Sequence, residues 1–250
     1  METKIISFCN HKGGVAKTTT VASVGSALAK LGRSVLLVDL DAQSNLTSSL
    51  LGYEPERTTY NALLERESLP ILRVGETGVH IAPASLDLAG IELEIASAIE
   101  REKILKDVLQ DVEAKYDYIL LDCPPSLGLL TLNALTASTD VIIPLTAEAL
   151  PSKGLQKIAD IIAMTQKRLN RELCLSGILI TRYERSKLSQ TVEEALRARY
   201  GELVLKTKIR KNVSLAEAPL AVQNILEYAP ESNGAKDYTE LAYELEKRLR

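Results

Sequence analysis

Short, almost unbroken apolar runs alternate along the chain with longer stretches in which apolar residues recur every three or four positions. The runs at Ile5–Cys9, Val35–Asp39, Val79–Ala82, Tyr118–Asp122, Val141–Leu145 and Ile178–Thr181 predict buried strands, with Leu203–Thr207 as a further candidate. Helical spacing over Thr18–Leu31, Lys153–Arg168, Ser189–Tyr200 and Asp237–Leu249 predicts helices. Gly32 follows the first of them, where a C-terminal cap belongs. A strand with no polar face must be covered on both sides, and alternating helices supply the cover. The pattern predicts an α/β fold, a doubly wound and mostly parallel sheet flanked by helices, in one domain spanning residues 1–250. No internal repeat or low-complexity linker interrupts it. Ligands of such sheets bind beyond the carboxyl ends of the strands, so residues that follow a strand are the first candidates for chemistry.

Composition narrows the class. Hydrophobic residues make up 46% and charged residues 25% of the 250, the mix of an ordinary globular protein. With no Trp and a single Phe, the core must be built from Val, Ile, Leu and Ala. The longest apolar runs, such as Tyr118–Leu121, are too short to span a bilayer. The chain also enters its first strand without a charged-then-apolar leader. Cys9, Cys123 and Cys174 show no regular spacing and suit a reducing compartment better than a disulfide framework. A cytoplasmic location without a membrane partner is the expectation. Cys9 and Cys174 fall in predicted strands and read as small core residues. The net charge of −3 hides an asymmetry, because residues 151–211 carry 14 Lys/Arg against 6 Asp/Glu. A basic segment in an acidic chain either attracts phosphate backbones or is a set of solvated helix faces.

The stretch NHKGGVAKTTT, Asn10–Thr20, lies between the first predicted strand and the first predicted helix. That is the context of a phosphate loop, whose general pattern is G-x-x-x-x-G-K-[ST]. Here His11 and Ala16 stand at the two glycine positions. Gly13 and Gly14 still let backbone N–H groups turn toward an anion at the helix N-terminus. Lys17 can reach the β and γ phosphates, and the Thr18 hydroxyl can take one position on Mg²⁺. An alanine forced to positive φ would cost on the order of 1 kcal/mol. A loop built around Gly13-Gly14 leaves position 16 in an ordinary conformation, and that is the expectation. A Gly-rich turn with no ligand is the alternative, and it leaves the Lys17-Thr18 pair unexplained.

These residues resemble the deviant Walker A motif K-G-G-x-x-K-[ST] of the ParA/MinD group of P-loop ATPases. Lys12-Gly13-Gly14-Val15-Ala16-Lys17-Thr18 fits it at every fixed position. The resemblance implies ATP and Mg²⁺ as cofactors, held by Lys12, Gly13, Gly14, Val15, Ala16, Lys17, Thr18 and Thr19. It also implies an ATP-sandwiched homodimer in which Lys12 crosses to the partner's phosphates, and a triphosphate shared by two protomers needs that extra cation. VLLVDLDAQSN is similar to the family's V-D-x-D-x-Q segment, with Ala42 where Pro is usual. By that resemblance Asp41 lies in switch I, near the metal, and orients the attacking water, while Asp39 is mainly structural. A plain loop-capping Asp41 is the alternative. YDYILLDCPPS ends a strand on Asp122, a Walker B-like carboxylate able to hold Mg²⁺ directly or through water. Cys123-Pro124-Pro125 then looks like switch II. IRKNVSLAEAP, Ile209–Pro219, resembles the family's late segment I-P-R-N-V-R-L-A-E-A-P, with departures at Arg210, Lys211 and Ser214. That region lies near the adenine in the family, which makes Asn212 a candidate base contact.

Relatives within the group differ in what they hold. The nitrogenase iron protein bridges a cluster with cysteines that follow the switch regions, a placement this chain does not match. MinD ends in a basic amphipathic helix that enters membranes. Here YTELAYELEKRLR carries Leu241, Leu245 and Leu249 at i, i+4, i+8, with Glu240, Glu244 and Glu246 on the polar side. Such a stripe reads as a helix packed on its own domain, so a MinD-like positioning ATPase acting on a membrane or protein cargo is the alternative. The short, Soj-like ParA proteins fit better. No helix-turn-helix extension precedes Lys4, so DNA contact is expected to be non-specific, through cations on phosphates. Arg182, Arg185 and Lys187 in TRYERSK, and Lys206, Lys208, Arg210 and Lys211 in KTKIRK, are the candidates. The implied protein is a Mg-dependent ATPase, slow alone and stimulated by a ParB-type centromere-binding partner. It would hold double-stranded DNA when ATP closes the homodimer, and serve plasmid or chromosome partition at the nucleoid.

Overall fold

The computed structural model describes residues 2–147 and 153–249. Its strands are β1 (Lys4–Phe8), β2 (Val35–Asp39), β3 (Leu72–Val74), β4 (Val79–Ala82), β5 (Tyr118–Asp122), β6 (Asp140–Thr146), β7 (Cys174–Tyr183) and β8 (Val204–Arg210). Its helices are α1 (Lys17–Lys30), α2 (Asn45–Leu51), α3 (Thr59–Glu65), α4 (Ile91–Glu94), α5 (Ile104–Glu113), α6 (Leu129–Ala137), α7 (Lys153–Arg168), α8 (Lys187–Tyr200), α9 (Ser214–Glu217), α10 (Ile225–Tyr228) and α11 (Asn233–Arg248). The strands form one sheet in the order β3-β4-β2-β5-β1-β6-β7-β8. Only the edge pair β3–β4 is antiparallel among the described strands.

Period-two alternation decides which residues face which layer. On one face Ile5, Leu36, Val38, Ile119 and Leu121 join a core with residues of α5, α6 and α7. On the other, Ile6, Phe8, Leu37 and Leu120 meet α1 and α11. Helix α1 lies close because Gly25 has no side chain, since a Cβ there would come 2.5 Å from Leu37 Cδ2. Helix α11 buries Tyr238, Leu241, Ala242 and Leu245 completely, and Leu249 is 5% exposed. Its leucine stripe therefore lies against its own sheet. The predicted strands are all present, although β7 begins earlier than its apolar run suggests.

One expectation is overturned here. Cys174 opens β7 at its amino edge and is exposed, so it is not a core residue. Cys9 and Cys123 are buried side by side past the ends of β1 and β5, with their sulfurs 3.0 Å apart. Burial first, and then Cys9 beside it, pushes the Cys123 thiol well above its ordinary value. The Cys123 thiol is therefore not a ready nucleophile.

Candidate nucleotide site and basic groove

β1 sits between β5 and β6; it leads to α1 on one face while its neighbour β5 leads to α6 on the other, so their carboxyl ends open onto a crevice. The loop from Cys9 to Ala16 fills that end. Asn10 anchors it, donating from Nδ2 to the Pro144 carbonyl at 2.6 Å and accepting the Lys12 N–H at 3.0 Å. From the other side Thr181 of β7 donates its hydroxyl to the Val15 carbonyl at 3.0 Å. Val15 itself is buried. Gly14 has φ 72°, as a loop with inward-turned N–H groups requires.

Ala16 departs from expectation. It takes φ 63° and ψ 34°, a left-handed conformation, as the residue that caps α1. The backbone must reverse there to start the helix, and the adjacent glycines do not relieve that position. Its carbonyl is held by the Thr20 N–H at 2.9 Å and the Thr20 hydroxyl at 2.6 Å.

Two carboxylates stand beside the loop. Asp39 and Asp122 end adjacent strands in register, and Phe8 of β1 is the register partner of Asp122 on the other side. Asp39 is fully buried, and its oxygens accept from Thr47 Oγ1 at 2.7 Å, Thr47 N at 2.9 Å and Asp41 N at 3.1 Å. Burial outweighs those bonds and pushes its pKa up to about 6. Asp122 is 1% exposed, and neither of its carboxylate oxygens has a hydrogen-bond partner among the described residues. Burial, then the Asp39 charge, holds it well above the usual carboxylate range, against the opposing pull of Thr18 and Lys17.

A buried carboxylate without donors is a costly arrangement unless a cation completes it. Asp122 and the adjacent Thr18 hydroxyl are hard oxygen donors of the kind Mg²⁺ takes. Among the described residues no group of three or more His, Cys, Asp or Glu could hold a metal ion alone.

A cavity of about 620 Å³ runs from Gly13, Gly14, Ala16, Lys17, Thr18 and Thr19 to a far wall of Leu215, Ala218, Pro219, Leu220 and Asn224. Lys17 is 7% exposed at its phosphate end. Asp41 and Pro125 also line it. Asp41 is at the same time a turn former, since its Oδ1 accepts the Gln43 N–H at 3.0 Å. Lys12 is exposed and is not among the residues that line this cavity.

Asn212 is not brought to the cavity. Its Oδ1 accepts the Ser214 N–H at 2.8 Å, and the residue lines a different groove. Asn45 and Asn224 line the cavity, and Asn224, on the far wall, caps α10 by accepting from Leu226 N at 2.9 Å and Glu227 N at 3.2 Å. Its cap signature, an Asn before the apolar pair Ile225-Leu226, was the available sequence signal.

The other groove, about 1180 Å³, is lined by Arg185, Lys206, Lys208, Arg210 and Lys211 among others. Arg182 and Lys187 lie outside it, Arg182 with φ 50° at the end of β7 and Lys187 at the start of α8. Several of these cations are occupied. Lys208 bonds Glu193 at 2.8 Å and lies over the Tyr183 ring. Lys211 bonds Glu184 at 2.6 Å, and Arg210 is forked onto Asp237. Arg185, Lys187 and Lys206 have no ion-pair partner among the described residues.

A parallel sheet with a glycine–lysine loop at its switch point, and strand-end carboxylates beside that loop, defines a P-loop nucleoside-triphosphate protein. A family model described as an AAA domain matches residues 3–175. Soj, the sporulation initiation inhibitor protein of Bacillus subtilis, is 42% identical over 97% of this chain and 98% of its own length. The chromosome-partitioning ATPase Soj of Thermus thermophilus is 44% identical over 98% and 96%. A solved structure described as cobyrinic acid a,c-diamide synthase from Mycobacterium smegmatis, with bound ATP analogue and magnesium, superposes with a TM-score of 0.88. It is 39% identical, over 99% of this chain and 96% of that one. The chain belongs to the Soj/ParA family of chromosome-partitioning ATPases. No helix among the described residues is long and apolar enough to cross a membrane.

Proposed function

We propose that this protein hydrolyses ATP with Mg²⁺, closes as a homodimer around the nucleotide, and in that state holds double-stranded DNA without regard to sequence. The observation that carries the reading is the unpartnered buried Asp122 carboxylate beside the Lys17-Thr18 end of the loop. Mg²⁺, when bound, would supply charge neutralisation at the phosphates. Asp122 and Thr18 are the residues that would hold it, directly or through water. Lys17 and the N–H groups of Gly13 to Thr19 stabilise the charge that develops as the phosphoryl group leaves. Asp41, fixed by its own turn and by the Asp39 bond to its N–H, positions the attacking water. Lys12, exposed and outside the lining of its own cavity, reaches the nucleotide of the other protomer. Asn224 takes the base-contact role expected of Asn212.

Duplex contact is assigned first to Arg185, Lys187 and Lys206, then to Arg182, Lys208, Arg210 and Lys211, all four of which already have interactions within the fold. A ParB-type protein stimulates turnover, and the system serves plasmid or chromosome partition. The MinD-like alternative loses its expected membrane element, because the leucine stripe of α11 is buried on the sheet. The test is retention of non-specific duplex by purified protein with ATP, ADP or no nucleotide, at two salt concentrations, alongside phosphate release. ATP-dependent, salt-sensitive retention is expected. No retention with any nucleotide would sink the DNA assignment, and no phosphate release from ATP and water alone would favour synthase-like chemistry that needs an acceptor.

A further inference from the structure

A buried polar chain runs through α11 and touches both the phosphate loop and the basic groove. Thr20, on the first turn of α1, donates its hydroxyl to the Ala16 carbonyl at 2.6 Å and lies 3.1 Å from the Tyr238 hydroxyl. A threonine hydroxyl has one proton. It is committed to Ala16, so Tyr238 donates to Thr20. Both side chains are fully buried, and burial keeps the Tyr238 phenol protonated.

The preceding residue, Asp237, has a different partner. It is 3% exposed, and its carboxylate accepts the Arg210 backbone N–H at 2.9 Å and the Arg210 Nε at 3.0 Å, with the Arg210 Nη2 at 2.5 Å. Arg210 ends β8 and lines the basic groove. The same helix meets the far wall of the nucleotide cavity. Gly234 lies so close to Leu215 that a Cβ would come 2.8 Å from its Cγ. A helix packed this tightly shifts as a unit, because cores switch between arrangements rather than deform continuously.

We propose that α11 couples the nucleotide state to the basic groove, with Tyr238 as the positioning residue that follows the phosphate loop and Asp237 as the one that sets Arg210. This rests on the reading of that groove as a duplex surface. Ala16 is the left-handed hinge of the loop, so any change in the loop's backbone on taking a triphosphate moves the carbonyl that Thr20 and Tyr238 track. Arg210 is then presented to the groove, or withheld, according to the nucleotide. A ligand shifts such an equilibrium only by as much as it distinguishes the two states.

The test is the affinity for a non-specific duplex with ATP·Mg²⁺ and with ADP·Mg²⁺, in wild type, Tyr238→Phe, Asp237→Asn and the double variant. Tyr238→Phe keeps the ring and removes one hydroxyl, and Asp237→Asn keeps the shape and an acceptor for the Arg210 N–H. Each single change is expected to reduce the ATP-over-ADP affinity ratio by at least about fivefold, with ATP turnover in the absence of DNA unchanged. Reciprocity requires the duplex-induced gain in ATP affinity to fall by the same factor. The double variant should do no more than either single one, as expected for residues on one path. A purely structural role would lower the melting temperature and weaken both nucleotide states alike. A ratio left at the wild-type value in folded Tyr238→Phe and Asp237→Asn overturns the coupling. Wild-type protein that retains no duplex with ATP overturns the DNA reading itself, and the coupling with it.

Discussion

With φ at 63°, Ala16 sits where a Cβ costs on the order of 1 kcal/mol, whereas a glycine would lose roughly 0.4–1 kcal/mol through a freer unfolded chain. The two nearly cancel. Ala16→Gly should therefore change the unfolding free energy by less than about 1 kcal/mol in either direction, while the β-branched Ala16→Val should lower it by more than that. Urea melts of the nucleotide-free protein check both. Asp39 gives a signed pH prediction. Its pKa is about 6 in the fold against 3.8 ordinarily, so between those values the folded state binds more protons and stability falls as pH rises. Below the lower value both states are protonated and the penalty vanishes; above the upper one it is complete, on the order of 3 kcal/mol. Other carboxylates, such as Asp117, have lowered values and slope the opposite way, so the wild type is compared with Asp39→Asn. The stability difference should move against the wild type from about pH 4 to about pH 6.5 and then level off. A difference independent of pH would show that the buried carboxylate is not strained.

At the scale of elements, the contact between α1 and the sheet is set by what Gly25 lacks. Helix propensity alone favours Ala over Gly by about 1 kcal/mol. Here the added Cβ would lie 2.5 Å from Leu37 Cδ2 in a fully buried core, and overpacking of that kind costs roughly 1–3 kcal/mol. Gly25→Ala is expected to gain nothing from propensity and to destabilise by up to about 2 kcal/mol, the overpacking cost less the propensity gain, readable by thermal or urea unfolding. The same distinction explains what was legible in the sequence. Val35–Asp39 and Tyr118–Asp122 could be read to the residue because a strand buried on both faces has no polar interruption before its terminal Asp, and Val79–Ala82 kept enough of that pattern despite the half-buried His80. Strand β3 spans only Leu72–Val74 and pairs antiparallel at the edge, too short for any period to register. Helix α6 is apolar nearly all round, buried between β5 and β6, so it presents no amphipathic stripe. The loop and both strand-end carboxylates were legible because their chemistry lies in residue type and order. Ala16's left-handed turn and the placement of Asn212 outside the cavity were not, since each depends on where the backbone turns rather than on which residue is present.

For the whole molecule, the sheet order sends the basic segment to one edge, where β7 and β8 lie, while the net charge of the chain stays at −3. A field of that shape orients the protein on a polyanion without demanding that every cation touch it. The internal ion pairs then sort the cations. Lys206 is exposed with no ion-pair partner among the described residues, whereas Lys208 is bonded to Glu193 at 2.8 Å. Each lysine that neutralises a phosphate releases counterion and adds close to one unit to the slope of log affinity against log salt. A lysine already neutralised by a carboxylate releases little, because Glu193 must first be given up. Lys206→Ala should therefore weaken duplex retention with ATP and flatten the salt slope by about one. Lys208→Ala should flatten it by clearly less, even though both residues sit on β8 two positions apart. Titrations between low and moderate salt measure both slopes directly. Equal slopes for the two variants would mean that the Glu193 pair opens at no cost on DNA, and the groove would have to be treated as uniformly basic.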